Sequence, residues 1–163
     1  MKGQMQMNET IIVIFLVSLM LLLGFIFYVR WESANLEKTK FNYERENFEL
    51  LIGKIPAMAE FQCSSYGQGR ECMDVSKLIA FREVSNDYFD IFGYKNITII
   101  EVYPEGRNLE CNKGNHLNCG VYSLYYKKKA SLKDKLIISS PVSLYYPDTE
   151  EYKIGKLIIE WYT

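Results

Sequence analysis

The sequence is poor in the residues that build catalytic centres. It has one histidine, His116, which lies in a polar loop without a Ser, Cys or Asp partner at a spacing known for nucleophilic catalysis. Its glycines form no phosphate-binding loop, and no set of residues has the spacing of a recognised metal site. We therefore predict no catalytic residue, no metal ligand and no cofactor, and we expect a protein that is not an enzyme.

Net charge is also lacking. The chain has 19 Lys and Arg against 20 Asp and Glu, which gives a formal net charge of −1. No basic field therefore points to nucleic acid as a partner. The short basic run Lys127 to Lys129 is better interpreted as a solvated strand end, since acids balance it overall. Internal repeats and low-complexity tracts are absent from the sequence as well.

The dominant feature that is present is a long apolar run. Residues 10–29, from Thr10 to Val29, contain no charged side chain. About 20 such residues, rising ~1.5 Å each in a helix, cross a hydrocarbon core of ~30 Å. A buried helix of a soluble protein is the alternative, but such helices rarely stay apolar on all sides over this length. We predict a transmembrane helix in contact with membrane lipid.

The residues after this run continue the helical pattern. Residues 30–56 are rich in helix-forming side chains and contain no proline before Pro56. Four apolar residues recur every seven positions in this segment: Ala34, Phe41, Phe48 and Ile55. We predict one helix from near Glu9 to about Lys54, whose second half packs this apolar stripe against a globular domain.

The four cysteines form two close pairs, Cys63 with Cys72 and Cys111 with Cys119. An even count beyond a membrane helix favours disulfides in an oxidising compartment, and local pairing is the simplest of three possibilities. A site in which four thiolates bind a metal is the alternative, but neither pair has the Cys-x-x-Cys spacing typical of one. Free buried thiols are a third possibility.

Residues 57–163 predict a globular α+β domain. Asp74 is placed to cap a short helix through about Arg82. β-Branched and aromatic runs then predict strands, at Lys95–Tyr103, Gly120–Lys127, Leu136–Ser139, Val142–Tyr146 and Tyr152–Tyr162. Short turns between them indicate an antiparallel sheet. Pro141 implies an edge strand, a bulge or a break.

The first nine residues carry a family resemblance. Lys2-Gly3-Gln4, then Glu9, then the apolar helix, resembles the class III signal of archaeal type IV pilin-like proteins. The resemblance implies that a prepilin peptidase cuts between Gly3 and Gln4, and that the helix is retained. It also implies a long N-terminal helix packed on an antiparallel sheet. The family usually has Glu as the fifth mature residue, whereas Glu9 is the sixth here.

The resemblance assigns assembly to Glu9, whose carboxylate would neutralise the new α-amine of a neighbouring subunit. A carboxylate at the edge of an apolar helix is costly unless it is paired. The alternative is an interfacial acid in headgroup water. The expected function is a structural subunit of an extracellular filament or pseudopilus, with copies of itself or other pilin-like subunits as partners and a role such as cell adhesion.

Topology indicators in the sequence conflict. Arg30, Lys38, Lys40 and Arg45 follow the apolar run, and this positive charge favours a cytoplasmic C-terminal domain. The cysteine pairs, the leader and a weak glycosylation sequon at Asn96 favour an extracytoplasmic one, which we expect. Two alternatives stay open: a single-pass anchored ectodomain that binds a partner or glycan without polymerising, and an anchored enzyme with an unrecognised site.

Overall fold

The computed structural model describes residues 2–65, 68–104, 106–115, 118–128 and 134–162. The chain divides into two compact units, Met1–Glu46 and Asn47–Thr163. Its elements, in chain order, are α1 (Lys2–Ala57), β1 (Gln62–Ser65), β2 (Gln68–Asp74), α2 (Val75–Val84), a 3₁₀ turn (Ser85–Tyr88), α3 (Phe89–Phe92), β3 (Lys95–Tyr103), β4 (Val121–Tyr126), β5 (Lys135–Tyr146) and β6 (Glu151–Tyr162).

The predicted long N-terminal helix is confirmed. Helix α1 contains 56 residues and includes Pro56 in its last turn, so the proline ends the helix without breaking it earlier. Within the second unit, the predicted apolar stripe is buried: Phe48 and Ile55 are 2% and 0% exposed.

The sheet of the second unit has six strands in the order β1-β2-β5-β6-β3-β4. Four neighbouring pairs are antiparallel, as predicted, but β2 runs parallel to β5, with Met73 opposite Leu144. The expectation of a purely antiparallel sheet is therefore wrong, and the layout is an α+β fold on a mixed sheet. Strands β1 and β2 pair antiparallel, with Cys63 opposite Arg70.

Proline at position 141 does not divide β5, although two separate runs were predicted there. Strand β5 is continuous, and Pro141 lies opposite Lys156 of β6. Its neighbour β2 pairs with β5 only at Leu144 and Tyr145 among the described residues. Pro141 therefore lies in a stretch of β5 that pairs with β6 alone, where a proline is tolerated better than between two paired neighbours.

The core lies between one face of the sheet and the helices. Alternate residues of β3 and β6 face it, including Ile97, Ile99, Leu157 and Ile159, and all four are almost fully buried. The end of α1 reaches this core through Phe48, whose ring centroid lies 5.4 Å from that of Trp161. On α2, the residues Val75, Leu78 and Phe81 are buried. As predicted, Asp74 caps α2 by accepting hydrogen bonds from two backbone N–H groups.

Gly155 provides a first test of this core. A Cβ added there would lie 2.8 Å from Leu144 Cδ1 and 3.3 Å from Ile99 Cγ2, so Gly155→Ala should overpack the core. We expect a loss of about 1–3 kcal/mol in the free energy of unfolding, measured by urea denaturation of the full chain in mild detergent.

The matched control is Gly53→Ala in α1, where a new Cβ meets no atom within 4 Å. The same change there should stabilise the chain by about 0.5–1 kcal/mol, because alanine restricts the unfolded chain more than glycine does. Equal effects of the two substitutions would contradict the packing assigned to Gly155.

Candidate functional site

The apolar run of α1 is the first candidate site. Its large side chains are all exposed, from Leu19 at 43% to Met20 at 78%. Among the described residues, one helix is long and apolar enough to cross a membrane, and its span begins at Thr10. A surface of this length without a polar side is costly in water and favourable in lipid. These properties fit a membrane anchor.

The residues predicted for processing and assembly belong to the same helix. Gly3, Gln4 and Glu9 lie in the helical backbone of α1, and their side chains lie outside the described part of the structure. The cleavage site between Gly3 and Gln4 and the assembly role of Glu9 therefore stay predictions. His116 lies outside the described residues altogether.

Both cysteine pairs are disulfides in the structure. Cys63–Cys72 joins β1 to β2 with 5.4 Å between the Cα atoms, and Cys111–Cys119 closes a loop with a Cα separation of 5.1 Å. All four side chains are buried, so thiolate metal sites and free thiols, the alternatives left open by the sequence, are not what the structure contains. Disulfides fit an extracytoplasmic domain.

The second disulfide loop is held against α2 by surface charges. Arg82 pairs with Glu110 at 3.0 Å, and Lys113 pairs with Glu83 at 2.6 Å. Arg82, Glu83 and Lys113 border a shallow cleft of about 510 Å³. Because the charges neutralise one another and every one of these side chains is at least half exposed, the cleft has the character of a solvated surface. Among the described residues, no group of His, Cys, Asp or Glu is placed to hold a metal ion.

A buried polar cluster lies at one end of the core face of the sheet. Glu101 of β3 is 5% exposed. Its Oε1 accepts a hydrogen bond from Lys153 Nζ at 3.0 Å, and its Oε2 accepts one from the Tyr146 hydroxyl at 2.5 Å. The hydroxyls of Tyr146 and Tyr122 are 2.7 Å apart, and Lys153 Nζ lies 4.3 Å from the centroid of the Tyr146 ring. We call these four residues the Glu101 cluster.

Burial raises the pKa of both phenols of the Glu101 cluster. Loss of water around the ring raises the pKa of Tyr122 to about 12; the hydrogen bond with Tyr146 opposes this change, and the Glu101 charge adds to it. Burial, followed by the hydrogen bond to Glu101, also raises the pKa of Tyr146. Both phenols are therefore protonated at neutral pH and available as hydrogen-bond donors.

The chemistry of the Glu101 cluster is structural. Each carboxylate oxygen of Glu101 accepts a hydrogen bond from a cation or a phenol, and the side chain is almost fully buried. The pairing offsets the cost of burying the charges at the end of the core. We assign the cluster to the stability of the domain and not to catalysis.

Sequence reasoning missed this cluster, although a signal for it was present. Glu101 follows Ile97 and Ile99 at every second residue of β3, and Lys153 precedes Leu157 and Ile159 with the same period in β6. Side chains two residues apart lie on the same face of a strand. The alternation therefore places Glu101 on the apolar face of β3 and Lys153 on the apolar face of β6. If the two strands are neighbours, this pattern indicates a buried ion pair.

No family model, curated protein or solved structure matches this chain. The pilin-like identity implied by the first nine residues stays a prediction, supported by the long apolar helix and the α+β layout.

The predicted glycosylation residue belongs to a second polar cluster, on the opposite face of the sheet. Asn96 donates from Nδ2 to Glu160 Oε2 at 3.0 Å, and Glu160 also accepts hydrogen bonds from Lys135 and Tyr162. Burial alone would raise the pKa of Glu160, but the bonds from Lys135, Asn96 and Tyr162 lower it below its usual value. Attachment of a glycan at Asn96 would require this amide to leave Glu160, within a strand paired on both sides.

Proposed function

We propose that this protein is a structural subunit of an extracellular type IV pilin-like filament or pseudopilus, inserted in the membrane by α1 until it is assembled. The exposed apolar run that begins at Thr10 is the observation that carries the proposal. A subunit of this kind needs a helix that is stable in lipid and that can later exchange lipid contacts for packing against other helices.

Three further features support the proposal. The leader residues Lys2-Gly3-Gln4 precede the apolar run at the position that a prepilin peptidase requires, by resemblance. The C-terminal end of α1 contributes Phe48 and Ile55 to the core of an α+β domain. The two disulfides suit a domain that faces an oxidising space. We place the C-terminal domain outside the cytoplasm, against the positive-inside count of the residues after the helix.

Processing can be tested on the protein extracted from membranes of expressing cells. N-terminal sequencing and the intact mass should show a chain that begins at Gln4, has lost three residues and retains two disulfides. Substituting Gly3 should leave the leader in place, because by resemblance the peptidase cuts after this glycine. A wild-type chain that begins at Met1 or Lys2 would contradict the proposal.

The second candidate is a single-pass anchored ectodomain that binds a partner or glycan without polymerising. The observation in its favour is an aromatic pair on the outer sheet face, Tyr145 and Tyr152, whose ring centroids are 5.0 Å apart. Tyr152 is 53% exposed, and exposed aromatic rings are common at binding surfaces. Electron microscopy with an antibody to the C-terminal domain separates the two: labelled filaments support the first, and label confined to the membrane supports the second.

A further inference from the structure

The sheet face opposite to the core carries an apolar hollow. The hollow has a volume of about 220 Å³ and is lined by Val102, Pro141, Ile154 and Lys156, together with two serines and a glycine. Val102 and Ile154 are 54% and 52% exposed. An apolar cavity of ~150 Å³ is enough for a benzene ring. The hollow therefore has room for one large apolar side chain.

A second exposed apolar surface lies where α3 leads into β3. We call it the corner and define it by Phe89, Ile91 and Tyr94, which are 40%, 54% and 44% exposed. The rings of Phe89 and Tyr94 pack edge to face, with centroids 5.4 Å apart. The corner therefore presents exposed apolar side chains, two of which are already packed against each other, at the end of the short helix α3.

The hollow and the corner lie at opposite ends of β3. Tyr94 immediately precedes Lys95, the first residue of the strand, and Val102 is its penultimate residue. At ~3.3 Å per residue the two surfaces are about 25 Å apart. A molecule cannot fill its own hollow with its own corner. When two different surfaces meet between copies, the contact is head-to-tail. Such a contact adds copy after copy to an open chain, unless the rotation from one copy to the next closes the chain into a ring.

The charges beside the two surfaces are complementary. Lys156 borders the hollow, whereas Asp87 and Asp90 flank the corner, and all three side chains are exposed. Within the described part of the chain, no ion pair involves any of these three residues. The lysine of one copy can face the aspartates of another, which favours this orientation over hollow against hollow or corner against corner.

We propose that the corner of one copy of this chain docks into the hollow of the next copy. Ile91 or Phe89 fills the hollow, and Lys156 pairs with Asp90 or Asp87. The proposal deepens the proposed function and rests on it, because a common membrane anchor keeps the copies at high local concentration, so that a small contact is sufficient.

Site-directed cross-linking of the full chain in lipid vesicles tests this contact. One population carries Ile154→Cys and an affinity tag, and the other carries Ile91→Cys and a different tag. After mild oxidation, the mixed pair should yield at least about fivefold more cross-linked product than Ile154→Cys alone or Ile91→Cys alone. A single chain with both substitutions should give a ladder of dimers, trimers and larger products.

The matched control replaces Ile154→Cys by Leu109→Cys, an equally exposed position at 52%, two residues before the second disulfide loop. Mixed with Ile91→Cys, it should give only the background of random collisions. The proposed contact would be overturned if Leu109→Cys and Ile154→Cys gave equal yields of cross-linked product with Ile91→Cys. It would also be overturned if either single population gave most of the product by itself.

A charge exchange provides an independent check. Lys156→Glu in the Ile154→Cys population should reduce the mixed product roughly three- to fivefold, and Asp90→Lys in the Ile91→Cys population should restore it in part. If restoration fails, the charge pairing is wrong. Filaments or Gln4 N-termini without the cross-link would leave the proposed function in place and refute only this interface, because the processing assay does not depend on the contact.

Discussion

Replacing Lys153 by methionine is expected to lower the free energy of unfolding by about 3–5 kcal/mol. Its ammonium group is the cation that compensates the Glu101 carboxylate, whose side chain is 4% exposed. Methionine keeps most of the volume and removes the charge, so the carboxylate stays buried with only the Tyr146 hydroxyl as a partner. Urea denaturation of the full chain in mild detergent, followed by near-ultraviolet circular dichroism, measures the change.

Lys156→Met is the matched control for this prediction. It makes the same substitution three residues later in β6, on the exposed face of the sheet, and should change stability by less than about 0.5 kcal/mol. The double variant Glu101→Leu with Lys153→Met should recover most of the loss, because it removes both charges. If Lys153→Met and Lys156→Met are equally mild, the Glu101 cluster does not stabilise the fold.

Alkaline pH should destabilise the wild-type domain by about 3 kcal/mol through Tyr122 alone. Burial raises its pKa from 10.0 to about 12. Between these two values the unfolded phenol loses its proton while the folded one keeps it, so the unfolded state binds fewer protons and stability falls as pH rises. The contribution of Tyr122 is complete well below pH 10, and it disappears as the pH rises through about 12.

Tyr122→Phe tests this assignment. The variant should lose about 1 kcal/mol at neutral pH, because its hydrogen bond with Tyr146 is gone, and its stability should fall less steeply from pH 10 to 12. Tyr126→Phe, at a ring that is 57% exposed, is the control and should keep the wild-type profile. A Tyr122→Phe profile parallel to that of the wild type would contradict the role given to this phenol.

The features that could be predicted from the sequence are those determined by neighbouring residues. The long helix follows from an apolar run and a helix-forming continuation, and both disulfides have the short spacing that local pairing needs. The Asp74 cap and the position of β3 follow from similarly local patterns. These features depend on side-chain types within about ten residues of each other.

The features that could not be predicted depend on which distant segments meet. The parallel pairing of Met73 with Leu144 joins residues about seventy positions apart, and neither strand contains a residue that specifies the partner's direction. The ion pair between Glu101 and Lys153 required the knowledge that β3 and β6 are neighbours.

By itself, the sequence determined that the chain carries a helix suited to lipid, followed by an α+β domain, and it favoured disulfides within the two cysteine pairs. Hydrophobicity, helix propensity and cysteine spacing act over short stretches, so they can be recognised without the fold. Only the tertiary structure decided that the sheet is mixed, that Glu101 and Lys153 share a buried site, and that the hollow and the corner occupy opposite ends of one strand. Contacts between distant segments are selected by the packing of the whole core, and no local pattern encodes that choice.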